Sequence, residues 1–187
     1  MKKILLSVLV LAFAGIGTVN AQSWGYGPKA GISLSTANGV EGAKTRAGVV
    51  AGVFVNRWIN DWFSIQTELL YSQQGFNTKI EGQTDKYRLD YIAMPIITKF
   101  YVMGGLNFEV GAQMAYRVSA RQKIGPADFA DMKSVSNHFN VDFVAGLSYD
   151  FPCGLILEGR YVLSTNSVNV DGGIKTGALQ MLVGWQF

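Results

Sequence analysis

One histidine and ten ionisable side chains at alternating positions are the residues of this 187-residue chain whose types could do chemistry. His138 is the only histidine, and Ser134, Ser136 and Asp131 stand just before it. An imidazole that takes a serine proton, oriented by a carboxylate, activates an acyl-transfer nucleophile. That constellation is defined by geometry, and serines near one histidine in a polar loop are common. The ten charged residues are Lys29, Glu68, Lys99, Glu109, Arg117, Arg121, Asp142, Asp150, Glu158 and Arg160. Carboxylates can act as general acids and bases, but they need a cavity and a substrate route. Here five acids are matched by five bases, so mutual neutralisation is the plainer chemistry. A lone His and a lone Cys leave only carboxylates for a metal, and no metal-ligand spacing occurs. Gly104-Gly105 and Gly172-Gly173 mark turns, with no phosphate-cradling loop. No cofactor is expected.

What must position these residues is a set of alternating segments. Leu106, Phe108, Val110, Ala112, Met114, Tyr116 and Val118 share one parity; Asn107, Glu109, Gly111, Gln113, Ala115, Arg117 and Ser119 share the other. At the end, Leu179, Met181, Val183, Trp185 and Phe187 alternate with Gln180, Leu182, Gly184 and Gln186. Strands are predicted at about 24–35, 46–59, 62–75, 87–102, 106–121, 138–151, 154–166 and 174–187. Period-2 segments of roughly 9–11 residues or more suit tilted strands that cross a bilayer. The second is ambiguous, since Val49, Val53 and Val55 favour one face, and Phe54 and Trp58 the other. Pro95, inside the fourth strand, predicts a bulge.

The connectors read short, then long. Asn60-Asp61, Met103-Gly104-Gly105 and Pro152-Cys153 are short; 36–45, 76–86, 122–137 and 167–173 are long. An up-and-down barrel with short periplasmic turns and long outer loops has this order, and a Greek-key sandwich does not. The fold predicted is all-β: an eight-stranded antiparallel transmembrane barrel over residues 22–187. Trp58, Trp62, Tyr101, Tyr149, Phe151, Trp185 and Phe187 gather near the short turns, and Tyr71, Phe76, Tyr87, Tyr91, Tyr116 and Phe139 near the long loops. Two interfacial aromatic belts are expected.

Residues 1–21 read as a cleaved signal peptide. Lys2-Lys3 precede an apolar run from Ile4 to Ile16, and Val19-Asn20-Ala21 fits a cleavage site before Gln22. The formal charge of +3 comes from 16 Lys+Arg and 13 Asp+Glu. Without Lys2 and Lys3 the balance is 14 to 13, so the pI near 9.0 is no argument for nucleic acid. Cys153 is the only cysteine, which excludes an intrachain disulfide.

The parity that turns apolar residues to lipid turns the ten charges into the lumen, with Arg121 and Asp150 at its rims. Eight strands leave room for little more than side chains. A turn around Gly104 sets facing residues to sum to 208, which places Lys99 opposite Glu109 as a salt bridge. Arg117 and Asp142 lie on neighbouring strands near the outer end and are candidates to pair.

Three segments resemble the small outer-membrane β-barrels of Bacteroidetes, labelled PorT-like or outer membrane protein β-barrel domain. They are Gly27-Pro28-Lys29-Ala30-Gly31-Ile32-Ser33-Leu34-Ser35, Leu89-Asp90-Tyr91-Ile92-Ala93-Met94-Pro95-Ile96-Ile97-Thr98-Lys99-Phe100 and Leu157-Glu158-Gly159-Arg160-Tyr161. The resemblance implies an eight-stranded barrel in the outer membrane and carries no catalytic residues. Some of that family's members are tied to protein secretion, so a secretion-system partner at the long loops is one implication. No peptidoglycan-binding domain is expected after the barrel.

The reading from sequence is a non-enzymatic, monomeric barrel in outer-membrane lipid, with a structural or surface-interaction role. The alternatives are a narrow pore or minor porin, and an outer-leaflet lipid-modifying hydrolase using His138. The eight residues Lys29, Glu68, Lys99, Glu109, Arg117, Asp142, Glu158 and Arg160 form the expected lumen network. Trp185 and Phe187 form the expected signal to the barrel assembly machinery, on a strand that closes against 26–34. The loop containing Phe129 and Met132 is the candidate for protein contact.

Overall fold

The computed structural model describes residues 24–38, 44–80, 83–123, 130–131, 139–165 and 175–187. The expected signal peptide, His138, Ser134, Ser136, Phe129 and Met132 lie outside them.

The strands are β1 (Trp24–Asn38), β2 (Lys44–Asn60), β3 (Phe63–Ile80), β4 (Gln83–Met103), β5 (Leu106–Lys123), β6 (Ala130–Asp131), β7 (Phe139–Asp150), β8 (Leu155–Ser164) and β9 (Lys175–Trp185). Their order is β4-β3-β2-β1-β9-β8-β7-β5, and a β4–β5 pairing closes the ring. The two-residue β6 adds to β5 outside that ring. The eight-stranded, antiparallel barrel expected from the alternation is therefore present, and β9 does pair with β1, from Lys29↔Gly184 to Asn38↔Lys175.

Closure fixes the geometry. From Trp24 the register passes through Arg57, Ile65, Thr98, Val110, Ala145, Tyr161 and Leu179 to Leu34. The circuit returns to β1 ten residues further on (34 − 24 = 10). With ~3.3 Å per residue and ~4.8 Å between strands, that shear tilts the strands by about 40° and sets a radius of about 8 Å.

Facing follows the pleat. Leu179, Met181, Val183 and Trp185 are exposed, while Gln180 and Leu182 are buried. β2 resolves in favour of Phe54: Val50, Phe54 and Asn56 point inward and Val49 outward. The lumen at Phe54 is roomy because Gly27 and Gly184 face it; a Cβ there would lie 3.3 and 3.5 Å from its ring. The short turns use left-handed backbone, with Gly104 at φ 56° and Gly154 at φ 94°. The Gly154 N–H donates to the Phe151 carbonyl at 3.0 Å.

Two expectations are corrected. Segment 76–86 is no long loop: β3 and β4 stay paired to Ile80↔Gln83, leaving 81–82 between them. A polar sequence suits a paired ribbon as well as it suits a loop. Short and long connectors therefore do not alternate throughout. Second, Pro95 makes no bulge. The β3–β4 ladder skips Glu68 and Leu69, resuming at the same sum (67 + 96 and 70 + 93), as a missing N–H alone requires. Register shifts in β4–β5 fall instead between Asp90 and Tyr91 and between Tyr101 and Met103.

Candidate functional site

All eight residues expected in the lumen network are buried, the most exposed being Arg117 at 6%. Four form one neutral group. Lys29 Nζ lies 2.6 Å from Glu68 Oε1 and also pairs with Glu158. Arg160 Nη1 reaches Glu68 Oε2 at 2.8 Å and Glu158 Oε1 at 3.0 Å. Gln66 Nε2 donates to Glu68 at 2.6 Å, and Arg160 Nε donates to Gln180 at 2.8 Å. In the ring, β3 and β8 are four strands apart, so Arg160–Glu68 crosses the full diameter of the lumen. Gly146 stands opposite Arg160 in register, where a Cβ would meet the Arg160 Cβ at 2.6 Å. The arginine occupies space that only glycine leaves.

A second group sits toward the short turns. Lys99 is opposite Glu109, as the turn geometry predicts, with Nζ 3.3 Å from Oε1. Lys99 also lies 3.3 Å from Asp150 Oδ1, and the Tyr101 hydroxyl donates to Asp150 Oδ2 at 2.7 Å. Toward the outer end, the partner register sets opposite Asp142 is Gln113, whose Nε2 donates to it at 3.0 Å; Arg117 lies further out, beside Tyr91.

Beyond the diametric ties, the inward residues turn apolar. One inward step outward along each strand, Glu68 gives way to Leu70, Arg160 to Val162, Gly146 to Val144 and Gly52 to Val50, all four apolar residues buried. Ala93, Ala115 and Leu182 pack with Val50 and Leu70, and Ile97 and Ala178 with Val144 and Val162. The lumen is thus stacked: an ionic layer on the short-turn side and an apolar layer above it. Glu68 and Glu158 each face both Lys29 and Arg160, so this group supplies neutralisation and cross-bracing.

The register shifts at the outer end of β4–β5, and two expected belt positions move. Across the register shift Arg117 pairs Tyr91, but Ser119 pairs Asp90 and Arg121 pairs Arg88. The extra residue lies in β5 between Arg117 and Ser119, and the side chain of Arg121 is outside the described set. Tyr91 and Tyr101 are not belt residues: Tyr91 is buried among the apolar layer, and Tyr101 turns in to Asp150. Tyr71, Tyr116 and Phe139 are exposed at the outer level. At the other end Phe63 packs on Trp62 and Phe100 with ring centroids 5.8 and 5.2 Å apart, and Tyr149 on Phe151 at 4.6 Å. The Phe187 N–H donates to the Tyr26 carbonyl at 2.9 Å, and both Trp185 and Phe187 are exposed. Phe76 and Tyr87 have side chains outside the described set. Sequence reasoning left Gln66, Gln113, Gln180 and Asn107 out of the expected network, although Gln66 shares parity with Glu68, and Gln113 and Asn107 with Glu109.

A closed barrel with an apolar outer wall, aromatic ends and a charged interior defines a small transmembrane β-barrel. The chain belongs to the outer membrane protein beta-barrel domain family, whose model matches residues 20–169. It is a bacterial outer-membrane protein. Neisserial surface protein A is similar in structure, with a TM-score of 0.59 and 16% identity over 87% of this chain and 97% of that one. Ail, the attachment invasion locus protein of Yersinia pestis, aligns at a TM-score of 0.54 and 12% identity, over 89% of this chain and all of Ail. No curated protein matched the chain in sequence.

Proposed function

We propose that this barrel is a non-enzymatic, monomeric outer-membrane protein with a structural or surface-interaction role and a lumen closed to solutes. The Arg160–Glu68 tie across the diameter, capped by Leu70 and Val162, carries this reading. A buried pair held at both ends is hard to part, because separating it strands a charge. Function then belongs to the outer surface and not to the interior. Ail has been solved in complex with the heparin analogue sucrose octasulfate, an instance of this fold presenting a surface to an external ligand. Kinship with PorT-like barrels, and with it a secretion-system partner, rests on the segments around Lys29, Lys99 and Arg160.

Single-channel recording in planar bilayers separates this role from the narrow pore. A stably inserted, silent barrel is expected; steady ohmic conductance would establish the pore. The hydrolase reading predicts lipid A deacylation that His138→Ala abolishes, and the surface role predicts none in the wild type. The aromatic end of β9 is proposed as the contact for barrel assembly machinery. Removal of Phe187 should lower the amount inserted in the outer membrane more than it lowers unfolding stability; unchanged outer-membrane levels would refute this.

A further inference from the structure

Arg57 stands apart from the wall it belongs to. Its register partners are Trp24 on β1 and Ile65 on β3, and two positions away along β2 are Val55 and Ile59. All four are apolar, and Arg57 is exposed among them. On the described strands, from the short turns up to the level of Tyr71, no other outward-facing residue carries a charge. The guanidinium lies over the Trp24 ring, with Cζ 5.1 Å from the ring centroid. Among the described residues it has no carboxylate partner and donates no hydrogen bond. A ring face attracts the cation but offers no oxygen to its N–H fork. Counted along strands tilted by about 40°, Arg57 lies within about 5 Å of the level of Phe63, Phe100, Tyr149 and Phe187. That is the aromatic level of the short turns, which in such barrels marks the periplasmic interface.

We propose that Arg57, seated on Trp24, binds the phosphate of a phospholipid in the periplasmic leaflet. The site goes beyond the surface role above and does not depend on it. A phosphodiester carries one negative charge and two unesterified oxygens, which match the guanidinium fork. A charge on the lipid-facing wall costs most at the midplane and least at the interfaces, where the head groups lie. The long arginine side chain can lay its stem on Val55 and Ile59 and keep its head at that level. Val55 and Ile65, further into the wall, present apolar surface to the chains of the same lipid. Phosphate held through Arg57 and chains held through Val55 and Ile65 together select a lipid over inorganic phosphate.

The test uses the folded full chain in maltoside micelles, which hold no phosphate, and follows the indole N–H signals by nuclear magnetic resonance. Trp185, exposed at the short-turn end of β9, is the internal control. Titration with a short-chain phosphatidylethanolamine should give a saturable shift at Trp24 and only a small, linear one at Trp185. Arg57→Gln should weaken the Trp24 response about tenfold. Arg57→Lys should keep part of it, since a point charge replaces the fork. Both variants should keep the heat-dependent gel mobility of a folded barrel. Diacylglycerol with the same chains should leave Trp24 unshifted, as should inorganic phosphate alone. In wild type, magnetisation should pass from the lipid phosphorus to the Arg57 Nε–H; no transfer at saturation would overturn the inference whatever the variants do. So would an unchanged response in folded Arg57→Gln. An equal shift with diacylglycerol would make the site a purely apolar one, and an equal shift with inorganic phosphate would make the ligand a free ion; either result overturns it. Equal saturable shifts at Trp24 and Trp185 would reduce the effect to general lipid contact and overturn it as well.

Discussion

Arg160 shows why the interior works as one unit. Its guanidinium faces two carboxylates, at 2.8 and 3.0 Å, and Lys29 faces the same two. Removing one base leaves two buried acids sharing a single cation. Arg160→Met should therefore cost about 3–5 kcal/mol of unfolding free energy, read from urea titration in micelles. Adding Glu158→Gln restores the charge balance and should recover most of the loss. If the single variant unfolds like wild type, the diametric tie is not holding the lumen together. At this scale the sequence was half informative. Lys99 and Glu109 could be paired because they flank one turn and a sum locates them. Arg160 and Glu68 are 92 residues apart, and Lys29 and Glu158 are 129 apart, on strands that do not touch in sequence order. Only the shear and closure of the ring bring those together.

Strands were legible where one face meets lipid, because the pleat then writes an alternation into the sequence. β9 is the clearest case, with Met181 and Val183 about half exposed on the outer wall. Arginine at either, near the midplane, should cost roughly 2–4 kcal/mol. Val183→Leu should stay within about 0.5 kcal/mol of wild type. Equal tolerance of the two changes at Val183, measured in the same urea titration, would contradict the outward facing of β9. Legibility fell off where lipid ends. Beyond the outer aromatic level the paired β3–β4 segments turn polar, so Asn77, Lys79, Asp85 and Lys86 carry no alternating signal and resemble a loop. The bulge was misplaced for a related reason. Pro95 removes a donor without adding a residue. The shift opposite Asp90 and Tyr91 inserts one in β5, with no proline or glycine to announce it.

At the scale of the molecule, eight strands at a shear of ten enclose a space of a size that side chains can fill. The ionic layer braces β3, β8 and β1 against one another; Val50, Leu70, Val144 and Val162 are buried at the level above. What faces outward along the described strands is an apolar wall for lipid. The most direct test is a nitroxide scan along β3 in nanodiscs, on a Cys153→Ser background, comparing relaxation by lipid-soluble oxygen and by a water-soluble nickel complex. Labels at Ile65, Leu69 and Tyr71, which are 38–48% exposed, should respond strongly to oxygen. Labels at Gln66 and Leu70, both buried, should respond weakly to both reagents, because a sealed lumen admits neither lipid nor bulk water. Strong nickel relaxation at Gln66 and Leu70 would mean an open, water-filled channel and would contradict the account.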